Sequence, residues 1–600
     1  MTIRRAKALN AILDHMPLTI HSNDNLAGSM CALIDSPLPE GTSPADYQQA
    51  VEEVRAVGER NFRTNSDHYA PDYETLVNEG IGGIRGRVTR RLGENRPAPE
   101  RDFLQSVLLS LDGVSRFLMR LGEEHRSSGR RPMGDLLDRV ATEAPRTFHE
   151  ATQLIWTFHF IYSLEGRGAM AFGRLDQYLW PFYQRDIASG ELTREGAAAI
   201  LESLWAKLEE PGIPNPIQNI AIGGKTPTGE DATNDVSFLM LEVTGRMKTP
   251  ASNLSARFHS DTSPEFFEAA AEVIKTGIGF PACFNDDTLV PGLIETGVPA
   301  EEANNVCFVG CIETFLPGKM PPWSDSRVNI LKALELALHN GFDPVEDVQT
   351  GPRTGHLEEL STFDSLKNAF MTQLKGIVAR HADEINNSKL CDTTEFTSPL
   401  LSALTADCIE RGKDINDGGA RFADWHGMAG MGLATVTDAL AALRKLVYEE
   451  QRFPLPHVVA ALERDFDGDE VLRQVLLNDA PKYGNGDTAT DALAAEVAEA
   501  FCRFCMSHET PAQGGKPAGR HVPLLAANVS NIPAGREVGA TPDGRRAFTP
   551  LSDAASPHFG RDVSGPTAVV RSLTQVDYRN VVGGTVVNTV SYTHLTLPTN

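Results

Sequence analysis

An α/β fold, with helices packed around a central sheet or barrel, is predicted by three observations. Helical patterning dominates the first 210 residues. Short strand-like runs then alternate with helical ones from about 215 to 330. No repeat, low-complexity tract or long linker divides the chain, so one large domain is expected where 600 residues would suggest about four.

The elements follow in order. Leu154, Ile155, Trp156, Phe158, Phe160, Ile161 and Leu164 leave no polar stripe, as in a helix buried on all sides, and Gly166-Arg-Gly ends it. Thr193 stands where an N-cap belongs, before a helix opening Arg194-Glu-Gly-Ala-Ala-Ala-Ile-Leu. Residues 217–224 and 254–259 read as strands, 266–275 as a helix, and 279–286 as an apolar strand-like run. Amphipathic helices are expected at 430–450 and 487–505, and turns between short strands after 510, where Gly and Pro become frequent.

Composition excludes several classes of function. Lys and Arg number 55 against 80 Asp and Glu, a net charge of −25, which is the wrong sign for a nucleic-acid backbone as partner. No apolar run approaches the roughly 18 residues of a membrane span, and the amino terminus lacks a secretory pattern. A cytoplasmic enzyme with neither nucleic acid nor membrane as partner is expected. Eight cysteines in this length are no disulfide scaffold and are read as reduced.

Three short motifs are set aside. Gly224-Lys-Thr lacks the first glycine of a phosphate loop, and Asp465-Phe-Asp-Gly-Asp lacks the closing Glu of a calcium loop. Cys502 and Cys505 have no second pair with which to hold zinc, and a structural role is expected of them. No metal site is assigned.

One segment differs in kind: Val306-Cys307-Phe-Val-Gly310-Cys311-Ile312-Glu313-Thr-Phe-Leu-Pro317-Gly318-Lys319-Met-Pro-Pro-Trp323-Ser-Asp325. Its Gly and Pro content reads as a loop. In extended backbone Cys311 and Glu313 would point to the same side. A carboxylate disfavours a thiolate nucleophile, because its charge raises the thiol pKa. The pair suits hydrogen-atom transfer at sulfur with proton transfer at the carboxylate. For an isolated Cys-x-Glu, a buried structural cysteine is the default reading.

The surroundings change that reading. Gly310-Cys311-Ile312-Glu313, with Pro317-Gly-Lys and Trp323-x-Asp325, resembles the finger loop of the glycyl radical enzymes, the pyruvate formate-lyase and glycerol dehydratase superfamily. Asp67-His68-Tyr-Ala-Pro-Asp, Phe172-Gly-Arg-Leu-Asp-Gln-Tyr, Gly412-Lys-Asp-Ile-Asn-Asp and Ala540-Thr-Pro-Asp-Gly-Arg are similar to other family segments in the same order, from about residue 4 to 588. The resemblance implies a ten-stranded β/α barrel of two five-stranded halves enclosed by helices, with the finger loop inside. It implies a barrel domain over 1–560 and the start of a glycyl radical domain over 561–590. Cys311 and Glu313 would be catalytic, and Asp325, His68, Asn285 and Asp286 would bind a small-molecule substrate. No cofactor would be bound; the radical would sit on a backbone glycine, installed by a radical S-adenosylmethionine activating enzyme. A homodimer is expected.

Ile312 stands where pyruvate formate-lyase has a second cysteine, which counts against acetyl transfer. The implied reaction is thiyl-radical hydrogen abstraction followed by dehydration or cleavage of a C–O, C–N or C–S bond. The alternatives are a formate C-acetyltransferase-like C–C lyase, or an inactive scaffold needing a separate glycine-radical subunit. Gly168-Ala-Met-Ala replaces the His-Ser pair of glycerol dehydratase-like members. A buried substrate hydroxyl left without that pair would lose about 1–3 kcal/mol, which speaks against glycerol itself. No Arg-Val-x-Gly-Tyr-like radical motif occurs, and Gly583-Gly584 reads as a turn or bulge before a strand. Residues 591–600 read as an artefactual tail and the sequence as truncated, inactive alone.

Overall fold

A computed structural model describes residues 2–589, apart from 22–23, 30–42, 44, 46–47, 50–51, 53–67, 166–167, 211–216, 250–251, 513–514, 516–517 and 527–528, and apart from the side chains of 390–395. The 591–600 tail, Asp67 and the Gly166-Arg167 break lie outside the described residues. The chain groups into two compact units of three segments each. The first holds Met1–Ser324, Asn387–Trp425 and Pro511–Gly519; the second holds Asp325–Asn386, His426–Thr510 and Arg520–Asn600. Residues 561–589, expected to open a further domain, group with the second unit.

In the first unit, β1 (Ala171–Gly173), β2 (Gln218–Gly223), β3 (Ser252–Phe258) and β4 (Ala282–Asn285) form a sheet in chain order with every pair parallel. Parallel neighbours need crossovers. These are the helices Leu175–Ser189 and Arg194–Leu208, then Asp235–Met247, then Pro264–Ile274. Thr193 caps its helix as expected, accepting the Gly196 N–H at 3.1 Å. The helix Phe148–Leu164 is buried from Phe148 to Ser163 but for His149, which is why its sequence carries no polar stripe. Residues 306–325, read as loop throughout, contain a short antiparallel hairpin of β5 (Cys307–Val309) and β6 (Glu313–Phe315). Strand pairing three residues long is too brief to leave an alternating pattern.

The second unit contains β7 (Asp325–Asn329), β8 (Phe342–Asp343), β9 (Val348–Gln349), most of β10 (Trp425–Met431), β11 (Arg520–Leu525) and β12 (Gly584–Thr585). Its main sheet runs β12-β11-β10-β7, with β7/β10 and β11/β12 parallel. Where the resemblance implies two five-stranded halves, the described residues give two four-stranded sheets, one centred in each unit. The helix Leu433–Ala442 is buried at every position and continues as a π-helical turn, so it is a core helix where an amphipathic one was expected. Cys502 and Cys505 are buried on the helix Thr488–Met506, in keeping with a structural role. Among the described residues no helix is long and apolar enough to cross a membrane.

Candidate active site

A buried frame of charge launches the hairpin. Arg174, directly after β1, is fully buried and donates to the carbonyls of Gly223 (2.7 Å), Lys225 (2.7 Å) and Asn304 (3.2 Å). Arg257 on β3 grips both oxygens of Asp286 at 2.9 and 2.8 Å and donates to the carbonyls of Asn304 (2.9 Å) and Val306 (2.8 Å). Asp176 accepts from the Gly223 N–H at 2.8 Å and from Ser237 Oγ at 2.6 Å. Burial, with the neighbouring Arg257, pulls Arg174 down to about 10, and burial raises Asp176 against the attraction of Arg174. Buried charges persist only when partnered. Here the partners tie β1, β2 and β3 to residues 304–306, which lead into β5. The Phe172-Gly-Arg-Leu-Asp segment is therefore a brace for the hairpin.

At the hairpin tip Val309 pairs with Glu313, and Gly310, Cys311 and Ile312 make the turn. Gly310 has φ +61°, and a Cβ there would stand 2.6 Å from His68 Nε2 and 2.8 Å from Glu313 Oε2. Only glycine fits. Glu313 is fully buried, and its Oε2 accepts the backbone N–H of Cys311 (2.9 Å) and of Ile312 (3.0 Å). Its Oε1 lies 3.9 Å from His68 Nε2. Cys311 and Glu313 are thus together, as expected, but for a different reason. The backbone is turned where extended strand was assumed, and the carboxylate folds back under the cysteine's own peptide.

Neighbouring contacts fix this tip. Asn253 Nδ2 donates to the Gly310 carbonyl at 3.1 Å, with Asn219 Nδ2 at 3.5 Å. Trp323 stacks on Phe315 at 4.9 Å between ring centroids and donates its backbone N–H to His68 O at 3.3 Å, which holds His68 beside Glu313. Gly318 donates to Ala70 O (2.6 Å) and accepts from Ala406 N–H (2.7 Å), and a Cβ there would overlap Asp72, so Pro317-Gly318 is a docking turn. Lys319 pairs with Glu302. Cys311 is half-buried, whereas burial pushes the Cys307 thiol, four residues earlier, up to about 12.

The other expected site residues are placed differently. Asp325 opens β7 in the second unit, opposite Gly427 of β10, with Arg327 Nε at 3.3 Å. Asn285 is exposed and caps the helix Asp286–Glu295, accepting the Asp287 N–H at 3.0 Å. Asp286 is wholly buried against Arg257. The structure engages these last two side chains in the framework. Asn219, Asn253 and Arg257 were not singled out from the sequence. Gln218, Ser252 and Ser255 are polar on the same strands, so no local pattern marks these three.

The pyruvate formate lyase-like family model matches residues 42–529. The chain belongs to the pyruvate formate lyase-like family. It is 33% identical over 574 residues to the "Probable dehydratase YbiW" of Escherichia coli, covering 88% of this chain and 70% of that one. It is also 33% identical over 471 residues to the trans-4-hydroxy-L-proline dehydratase of Clostridioides difficile, covering 76% of this chain and 59% of that one. Among solved structures, the glycerol-bound B12-independent glycerol dehydratase of Clostridium butyricum superposes with a TM-score of 0.88 at 29% identity, covering 98% of this chain and 83% of that one. A glycyl radical enzyme from Archaeoglobus fulgidus gives 0.85 at 27%, covering 98% and 84%.

Proposed function

We propose that this chain carries the hydrogen-abstracting half of a glycyl radical dehydratase or lyase acting on a small polar metabolite. The observation that carries the proposal is the tip itself. A half-buried cysteine sits on a clamped turn whose backbone N–H groups bind a fully buried carboxylate that faces a histidine. The fit to radical chemistry lies in this donor set: a thiol able to give up and take back a hydrogen atom, beside a carboxylate able to take a proton.

A backbone glycyl radical, installed by a radical S-adenosylmethionine enzyme, would supply one oxidising equivalent to the Cys311 thiol. Cys311 Sγ then takes a hydrogen atom from a hydroxyl-bearing substrate carbon. Glu313 keeps Oε2 on the turn and receives the hydroxyl proton at Oε1. The electron density released expels the leaving group from the adjacent carbon as a nitrogen or sulfur fragment, or as a hydroxide that takes up the proton from Glu313 and departs as water, and proton return to the leaving group restores the carboxylate. Cys311 returns the hydrogen atom to the product radical. His68 orients the substrate hydroxyl and Glu313 Oε1. A substrate role for Asp325 rests on the Trp323-x-Asp325 motif, whereas Asn285 and Asp286, outside that motif and engaged as helix cap and Arg257 partner, are read as framework. Ten-stranded closure and a homodimer complete the reading, both as the family resemblance implies.

The test is anaerobic activation of the protein with its radical-bearing glycine supplied, from a longer form of the chain or a separate small subunit. Turnover is then followed with diols, hydroxyprolines and hydroxysulfonates alongside electron spin resonance. Product formation abolished by Cys311→Ser, with the radical signal intact, supports the proposal. Turnover by Cys311→Ser ends it.

A further inference from the structure

Resting on that reading of Cys311, we propose that Asn219 and Asn253 are positioning residues that hold the cysteine's peptide plane through the Gly310 carbonyl. The two asparagines stand opposite each other in register on β2 and β3. Asn253 Nδ2 reaches Gly310 O at 3.1 Å and Asn219 Nδ2 approaches the same oxygen at 3.5 Å. Asn219 Nδ2 also donates to Ser255 Oγ at 3.0 Å, which fixes the rotation of that amide. Around them the strands are buried, with Ile220, Ala221, Ile222, Leu254 and Ala256 among polar Gln218, Ser252, Ser255 and Arg257. Side-chain amides turned away from solvent need hydrogen-bond partners, and the turn supplies one to both.

The carbonyl of Gly310 and the N–H of Cys311 belong to one planar peptide unit and point in opposite directions. The oxygen goes to the asparagines, and the N–H goes to Glu313 Oε2. The plane is held at both edges. The need is specific to this place. Glycine makes rotation of the adjoining peptide easy, and Gly310 cannot be replaced because His68 and Glu313 occupy the space of a Cβ. Rotation of this peptide would change φ of Cys311 and swing its Sγ. The asparagines supply the rigidity that the obligatory glycine removes.

The experiment uses Asn219→Leu, Asn253→Leu and the double variant, together with the isosteric Asn219→Asp and Asn253→Asp, which lack the donor and serve if a leucine variant fails to fold. Native protein without activation is alkylated anaerobically, and Cys311 labelling is read by mass spectrometry relative to exposed Cys283 and buried Cys307 of the same molecule. The ratio of Cys311 to Cys283 is expected to rise in the variants while Cys307 stays protected. After activation, kcat should fall about 100-fold while KM stays within about twofold, the signature of a reacting atom misplaced by about 1 Å. An unchanged ratio with unchanged kcat in the double variant overturns the role. Labelling of Cys307 in step with Cys311 also overturns it, because it reports general loosening. The labelling ratio does not depend on turnover, so it stands apart from the Cys311→Ser experiment that tests the underlying reading.

Discussion

Four residues concentrate the proposed chemistry. Gly310 turns the chain, Cys311 carries the sulfur, Ile312 is buried, and Glu313 closes the turn by accepting two backbone N–H groups. Substituting Gly310→Ala should cost about 1–2 kcal/mol for an L-residue held in the left-handed region, with further displacement of His68 and Glu313. The expected outcome is a small fall in melting temperature with a large loss of kcat, checked by calorimetry and turnover on one preparation. Glu313→Gln separates the residue's two tasks. The amide oxygen can still accept the turn's N–H groups, so Cys311 labelling should match wild type. The lost base should lower kcat by about 10²–10⁴-fold, the usual contribution of a positioned proton acceptor. If the labelling changes as well, the carboxylate is needed for the turn and the separation fails.

At the scale of elements, the hairpin depends on strand ends it does not pair with. Arg257 spends its guanidinium on Asp286 and on the carbonyls of Asn304 and Val306, and Arg174 does the same for β2 and residue 304. Replacing Asp286→Asn leaves Arg257 buried without its counter-charge. Breaking such a pair from one side costs about 3–5 kcal/mol, so the first unit should unfold at markedly lower denaturant, followed by tryptophan fluorescence. Asn285→Ala should remove only a helix cap, worth about 1 kcal/mol, and leave turnover unaffected. A specific loss of kcat in Asn285→Ala would restore it to the substrate site. A second network runs Tyr73 Oη to His159 Nδ1 (3.1 Å), His159 Nε2 to Gln218 Oε1 (2.6 Å), and Gln218 Nε2 to Gly168 O (2.9 Å). Burial holds His159 down at about 4, so this relay is neutral at physiological pH and acts as scaffolding for the segment before β1.

At the scale of the whole molecule, pH acts through buried charge as well as through the net charge of −25. In the second unit Asp438 is fully buried. Burial, only partly offset by Arg561 and Lys482, raises its carboxyl to about 7, while Asp543, paired with Arg561, stays at about 2. A carboxyl raised on folding keeps a proton that the unfolded chain has already released. Its contribution to stability therefore declines as pH climbs from about 4 to about 7 and is level beyond. Asp438→Asn should flatten that part of the profile, read as melting temperature against pH for both proteins. A wild-type curve that rises through this interval faster than that of Asp438→Asn would contradict the assignment.

The sequence determined what is local. The Thr193 cap and the buried helix Phe148–Leu164 are legible because their causes lie within a few residues: a side-chain acceptor three positions from its donor, and an unbroken apolar surface; extended backbone was expected at Gly310–Glu313, and the structure makes it a turn. The family was legible for a similar reason, since its short motifs retain their order. Only the tertiary structure decided which distant residues serve that turn. Asn253 and Asn219 lie 57 and 91 residues from Gly310. His68 reaches Glu313 through a bridge to Trp323. Asp286 is claimed by Arg257. Hydrogen bonds and ion pairs at such separations depend on how strands are ordered and how deeply each charge is buried, and no pattern within a few residues of the chain encodes either.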